Sequence, residues 1–138
     1  AGARVLLVTE VVPKQGVHVY APGTHAYQVI RLRLEPNTLV RVGRTRYPMP
    51  EDYYFPPLKE HVPTYQDPFR LTTEITFNAS AGARQRLAGV AAVTLHGTLD
   101  FQACNDRLCF TPVSMPVTFV VARPSTNAVP RPVRPRTP

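Results

Sequence analysis

Cys104 and Cys109 are the two cysteines of the chain, and both fall in the stretch Phe101-Gln102-Ala103-Cys104-Asn105-Asp106-Arg107-Leu108-Cys109-Phe110-Thr111-Pro112. Asn105-Asp106 is favourable turn chemistry and the flanking residues read as strand, so the pair is expected to bracket the tip of a β-hairpin. Thiols so placed can approach the Cα spacing of roughly 5.5 Å that a disulfide needs. The chemistry that follows is thiol-disulfide exchange: a thiolate at one sulfur attacks a partner's disulfide, and the second thiol releases the mixed disulfide. Parity adds a placement. Leu99, Phe101 and Ala103 take the apolar face, which sets Cys104 with Asp100 and Gln102 on the polar one, while Leu108 and Phe110 leave Cys109 beside Thr111. Both sulfurs are therefore expected on the same accessible side. Arg107 would favour a thiolate there, whereas Asp106 and Asp100 would oppose it.

Other chemistries compete for the same residues. A permanently closed disulfide would make the domain a noncatalytic protein-binding module with a structural staple, as in many small secreted domains. Ring size weighs against that reading, since closing six residues is worth roughly 2 kcal/mol against about 4 kcal/mol for a crosslink spanning 60 residues. Zinc could take both cysteines with two of His18, His25, His61 and His96, but no histidine lies at a ligand-like offset from either sulfur. A Cys-His hydrolase lacks an oxyanion element and an orienting third group. Neither a metal nor a cofactor is expected.

The elements that must position the pair are strands. Phe69-Arg70-Leu71-Thr72-Thr73-Glu74-Ile75-Thr76-Phe77 alternates cleanly, with Phe69, Leu71, Ile75 and Phe77 on one face. Ile30, Leu32 and Leu34 alternate with Arg31, Arg33 and Glu35, and Val117, Phe119 and Val121 form a matching apolar set. Weaker strand signals run from Val5 to Val12, Val17 to Tyr20 and Leu39 to Val42. Short strands separated by Pro, Gly and Asn predict an all-β sandwich with little helix. Residues 47–68, rich in proline and without sustained periodicity, read as a long loop, a feature more often functional than incidental. Residues 124–138 alternate Pro and Arg without an apolar stripe, which predicts an extended linker or tail after a single domain over residues 1–123.

Length, charge and hydropathy bound the function. The 138 residues and 43% hydrophobic content suit one core, and no stretch is apolar enough to span a membrane. The net charge of +7 owes much to Arg131, Arg134 and Arg136 in the tail, and no basic stripe with interleaved aromatics accompanies it. Nucleic-acid binding is not expected. Ala1-Gly2-Ala3-Arg4 is no signal-peptide core, so any targeting segment is expected to have been removed.

With these residues in view, the chain resembles the N-terminal domain of the transmembrane disulfide reductase DsbD and its relatives. The resemblance rests on Gly16-Val17-His18-Val19-Tyr20, on Tyr47-Pro48 with a loop ending at Tyr65, and on Phe101 to Cys104 and Cys109 to Pro112 followed by Pro116-Val117. It implies an immunoglobulin-like β-sandwich in the periplasm, with a redox disulfide under a mobile cap loop. It further implies a protein-disulfide reductase that takes electrons from a thioredoxin-like domain or protein and passes them to oxidised periplasmic proteins. A membrane domain following the tail is left open. By the same resemblance Cys109 forms the mixed disulfides, Cys104 resolves them, and His18 and Tyr20 flank the pair where relatives can have two aromatic residues. Glu51-Asp52-Tyr53-Tyr54-Phe55 is similar to an acidic and aromatic cap sequence. Phe55 is the candidate lid, with Tyr54 or Leu58 in reserve and Asp52 beside them; the alternative is that these aromatics only anchor a long loop to the sandwich.

Overall fold

A strand with one buried face needs neighbours that cover that face, and the sharpest alternation in the chain is the centre of the first sheet. In the computed structural model, which describes residues 2–123 and 132–136, Phe69, Leu71, Thr73, Ile75 and Phe77 are buried along β7 (Phe69–Phe77). That strand lies between β1 (Arg4–Val11) and β4 (Val40–Arg46), antiparallel to both, with Val5 opposite Ile75 and Thr9 opposite Leu71. The facing sheet has the order β10 (Val113–Ala122), β8 (Ala92–Phe101), β3 (Arg31–Leu34). Leu7, Leu71 and Ile75 from the first sheet meet Leu32, Leu99 and Phe119 from the second in one core cluster. The protein is an all-β sandwich, as the alternating runs predict.

Two local features depart from the sequence pattern. A short helix, α1 (Ala81–Ala88), begins where the Ser80 hydroxyl accepts a hydrogen bond from the Ala83 N–H at 3.2 Å, and only Ala83 and Leu87 along it are buried. So narrow an apolar contact leaves no helical stripe to read. Asp100, placed by parity on a polar face, is only 6% exposed. It is covered because Arg33 Nε and Nη2 donate to its two oxygens at 2.8 and 3.3 Å, with Arg31 at 3.6 Å. The Arg33 hydrogen bonds hold its carboxyl well below the usual carboxylate range, so its charge is spent on these arginines.

A third sheet carries the region of interest, with the order β5 (Glu51–Phe55), β6 (Glu60–Tyr65), β2 (His18–Tyr20), β9 (Ala103–Cys104). Residues 47–68 are therefore not one long loop. β5 and β6 form a hairpin in register from Glu51 opposite Thr64 to Phe55 opposite Glu60. Its tip is a single 3-10 turn, Pro56–Leu58, closed by the left-handed Lys59 (φ 50°), whose N–H donates to the Pro56 carbonyl at 3.1 Å. Proline suits the first position of such a turn, where no N–H is needed. Periodicity fails here because aromatic residues occupy both faces, Tyr53 and Phe55 on one and Tyr54 on the other.

Residues 132–136 are extended, and they do not stand apart from the sandwich. β11 (Pro132–Val133) pairs in parallel with Leu6 and Leu7 of β1, and Val133 packs against the core. Arg134 reaches Glu10 at 3.2 Å, and Arg136 exchanges backbone hydrogen bonds with Thr118 of β10. For residues 132–136 this corrects the expectation of few contacts; 124–131, 137 and 138 lie outside the described residues. The segment straps the edge of one sheet to the edge of the other. Ending the chain at Arg123 should lower the melting temperature by about 3–6 °C, the equivalent of roughly 1 kcal/mol at this size. An unchanged melting temperature would show that the strap does not hold in solution.

Candidate functional site

The cysteine hairpin is built by its own backbone. Cys104 and Cys109 face each other across an antiparallel bridge, with the Asn105 N–H donating to the Leu108 carbonyl and the Phe110 N–H to the Ala103 carbonyl, each at 2.9 Å. Between them, Asn105 Oδ1 accepts from the N–H groups of Arg107 and Leu108, both at 2.8 Å, which is the turn chemistry expected of asparagine. The two sulfurs are joined in a disulfide, with the Cα atoms 4.0 Å apart.

They are not equally placed. Cys109 is exposed, whereas Cys104 is 1% exposed and packs with Tyr20 and Val62. The expectation that both sulfurs share an accessible side is corrected, and the reason is topological. Parity along β8 ends at Phe101, because after Gln102 the chain leaves that sheet. Ala103 and Cys104 then pair with Val19 and His18 of β2, and the new sheet sets a new face.

His18, directly opposite Cys104, is buried, and its Nε2 is 3.1 Å from the Tyr20 hydroxyl. That hydroxyl is 3.7 Å from Cys109 Sγ. Tyr53 lies over the His18 ring at 4.0 Å between centroids, and Tyr27 stacks on Tyr20 at 4.3 Å with ring planes 7° apart. Burial lowers the His18 pKa from its ordinary value. Burial also raises the Tyr20 phenol, with smaller contributions from Tyr27, Glu60 and Tyr53. Both rings are thereby held neutral at neutral pH.

The β5–β6 hairpin covers this cluster. Tyr53 and Phe55 on its inner face and Leu58 at its tip line a cavity of about 230 Å³ together with Cys104, Cys109, Arg107 and Leu108. Tyr27 ties the cover down by donating to Glu60 Oε2 of β6 at 3.3 Å. Of the residues proposed from sequence, Phe55 and Leu58 line the cavity. Asp52 and Tyr54 lie on the hairpin's outer face, where Asp52 bonds His61 at 2.7 Å and the half-exposed Tyr54 ring packs on the same imidazole. Strict alternation from Phe55 would have selected Tyr53 instead of Tyr54, whereas Tyr27 sits in a segment with no repeating pattern to flag it.

The histidines weighed as metal ligands are dispersed. His25 Nε2 bonds the Ala21 carbonyl oxygen at 2.7 Å, His61 is taken by Asp52, and His96 is exposed on β8. His18 alone stands opposite a cysteine. What the arrangement can do chemically is limited and specific: one exposed sulfur, one shielded sulfur, and a hairpin of aromatic residues beside them.

Comparison with known proteins agrees with that chemistry. A family model described as thiol:disulfide interchange protein DsbD, N-terminal, matches residues 2–120. Neither the curated proteins nor the solved structures gave a match.

Proposed function

The chain belongs to the family of DsbD N-terminal thiol:disulfide interchange domains, and from that premise we propose that Cys104 and Cys109 carry reducing equivalents from a thioredoxin-like donor to oxidised periplasmic proteins. The observation that supports this most is the asymmetry of the pair, with Cys109 exposed and Cys104 buried beneath it. In the reduced domain, the Cys109 thiolate attacks a sulfur of the acceptor's disulfide, forming a mixed disulfide and expelling the acceptor's other sulfur as a thiolate. The Cys104 thiolate then attacks Cys109 Sγ, restoring the internal disulfide and releasing the acceptor dithiol. A reduced donor reverses the sequence: its thiolate attacks Cys109 Sγ, Cys104 leaves, and the donor's second thiol frees the reduced domain.

The cover gives selectivity. Phe55, Leu58 and Tyr53 line the cavity beside the sulfurs, so in this reading the hairpin restricts the approach of a small thiol and a docked protein displaces it. Asp100 plays no part in the thiol's electrostatics in this scheme because Arg33 and Arg31 neutralise it.

The reduction potential tests the reading. Equilibrated with defined glutathione mixtures and scored for free thiols, a shuttle should titrate above about -300 mV. A bond that stays closed until lower potentials would be a staple, and the domain would be a noncatalytic binding module.

A further inference from the structure

The geometry points to His18 as the acceptor of the Cys109 thiol proton, reached through the Tyr20 hydroxyl, when the reduced domain attacks a disulfide. This rests on the exchange reading above and adds a path for the proton that reading leaves unassigned. The chain of contacts is short: Tyr20 Oη is 3.7 Å from Cys109 Sγ and 3.1 Å from His18 Nε2. A hydroxyl has one proton and two lone pairs, so Tyr20 can accept from the thiol while donating to the imidazole. That direction requires Nε2 without a proton and the imidazole hydrogen on Nδ1. Burial, which holds His18 below its ordinary range and Tyr20 above its own, keeps the imidazole open as an acceptor and the phenol protonated.

The surroundings of His18 leave it few other partners. From its own strand it faces Tyr20, from β5 the Tyr53 ring, and from β9 Cys104. On β6, the Tyr65 hydroxyl is bonded to the Pro48 carbonyl and Glu60 is engaged by Tyr27. Arg107 also lines the cavity.

The step balances as follows. The Cys109 S–H bond breaks and its electron pair stays on sulfur; the proton passes to the Tyr20 oxygen as the phenolic proton passes to His18 Nε2. The sulfur pair attacks one sulfur of the partner disulfide, whose S–S bond breaks with its electrons leaving on the other sulfur. That thiolate takes up a proton, from the imidazolium by the same route reversed or from water. The Cys109 sulfur is oxidised from the thiol to the disulfide level, the attacked partner sulfur stays at the disulfide level, and the other partner sulfur is reduced to a thiolate.

The test uses protein carrying Cys104→Ala, so that Cys109 is the one thiol, with 2-hydroxyethyl disulfide as a small neutral probe and the mixed disulfide counted by mass. Rates across pH 5–10 should show two inflections, one for His18 and one for the thiol, with a plateau between them. Adding Tyr20→Phe removes the bridge, and adding His18→Gln keeps a hydrogen-bond acceptor for Tyr20 that cannot hold the proton. Both should abolish the plateau, slowing exchange about tenfold near pH 6.5, and should match the parent above the thiol's titration, where no relay is needed. A plateau retained with His18→Gln, or a single shared inflection in all three proteins, would overturn the relay while leaving thiol exchange intact. No mixed disulfide at any pH in any of them, either with the small probe or with an activated thioredoxin-like protein, would overturn the exchange reading itself.

Discussion

A reduced protein carrying Cys104→Ala should accumulate a covalent heterodimer with a thioredoxin-like partner whose single active-site cysteine has been activated as a mixed disulfide with a small aromatic thiol. Cys109 displaces the small thiol and is then linked to the partner with no neighbouring thiol to release it. Cys109→Ala should give at least about tenfold less heterodimer at early times, because the remaining thiolate must react from a buried position. The basis is steric before it is electronic: Cys104 is 1% exposed, beneath Tyr20 and Val62, whereas Cys109 lies at the exposed end of the hairpin. The unaltered protein should form the heterodimer only transiently, since Cys104 is already placed to attack Cys109 Sγ. Non-reducing electrophoresis against time separates the three behaviours. Equal trapping by the two variants would overturn the role assignment even if the potential were that of a shuttle.

The second large effect should come from the cover. Phe55→Ala removes a half-buried ring from the lining of the cavity, while the backbone pairing of β5 with β6 is unaltered. Fully burying such a ring is worth about 1.5–3 kcal/mol, so half of that, about 0.8–1.5 kcal/mol, is a fair measure of what holds the tip closed. Reduction of the oxidised protein by a small thiol such as dithiothreitol should then be roughly three- to tenfold faster. The equilibrium potential should scarcely move, because a cover that limits approach changes both directions of exchange alike. Tyr54→Ala is the control, as its ring packs on His61 outside the cavity, and it should leave the rate unchanged. A Phe55→Ala rate equal to the parent's would pass the covering role to Tyr53 and Leu58.

Why some of this was legible in the sequence and some was not follows from where each residue draws its constraint. Phe69 to Phe77 could be read because one face of β7 meets the core and the other does not, so burial imprints a period of two. The hairpin at Asn105 could be read because its turn is satisfied locally, by the asparagine's own side chain. The β5–β6 hairpin could not, since aromatics that pack on both of its faces erase the alternation. The choice of Tyr54 over Tyr53 was the direct cost of lacking that phase. Cys104 was misplaced because parity holds only while a chain stays in one sheet. β2 has all three residues buried, so no pattern within it distinguishes His18 or Tyr20, and only the resemblance marked them. Val133, set between Pro and Arg, gives no stripe, yet one side chain and a few backbone bonds suffice to dock a strap.

That strap has a consequence for how the molecule meets its own kind. β1 and β10 each end a sheet on the same side of the sandwich, and an open end offers a row of unpaired N–H and C=O groups to which a foreign strand can add. Residues 132–136 occupy parts of both rows. Pro132, Arg134 and Arg136 of the segment are exposed; a proline has no N–H to donate, and charged side chains disfavour an added strand. A foreign strand is thereby obstructed at Leu6, Leu7 and Thr118, and a domain proposed to form transient covalent bonds with other proteins is guarded there against lasting noncovalent ones.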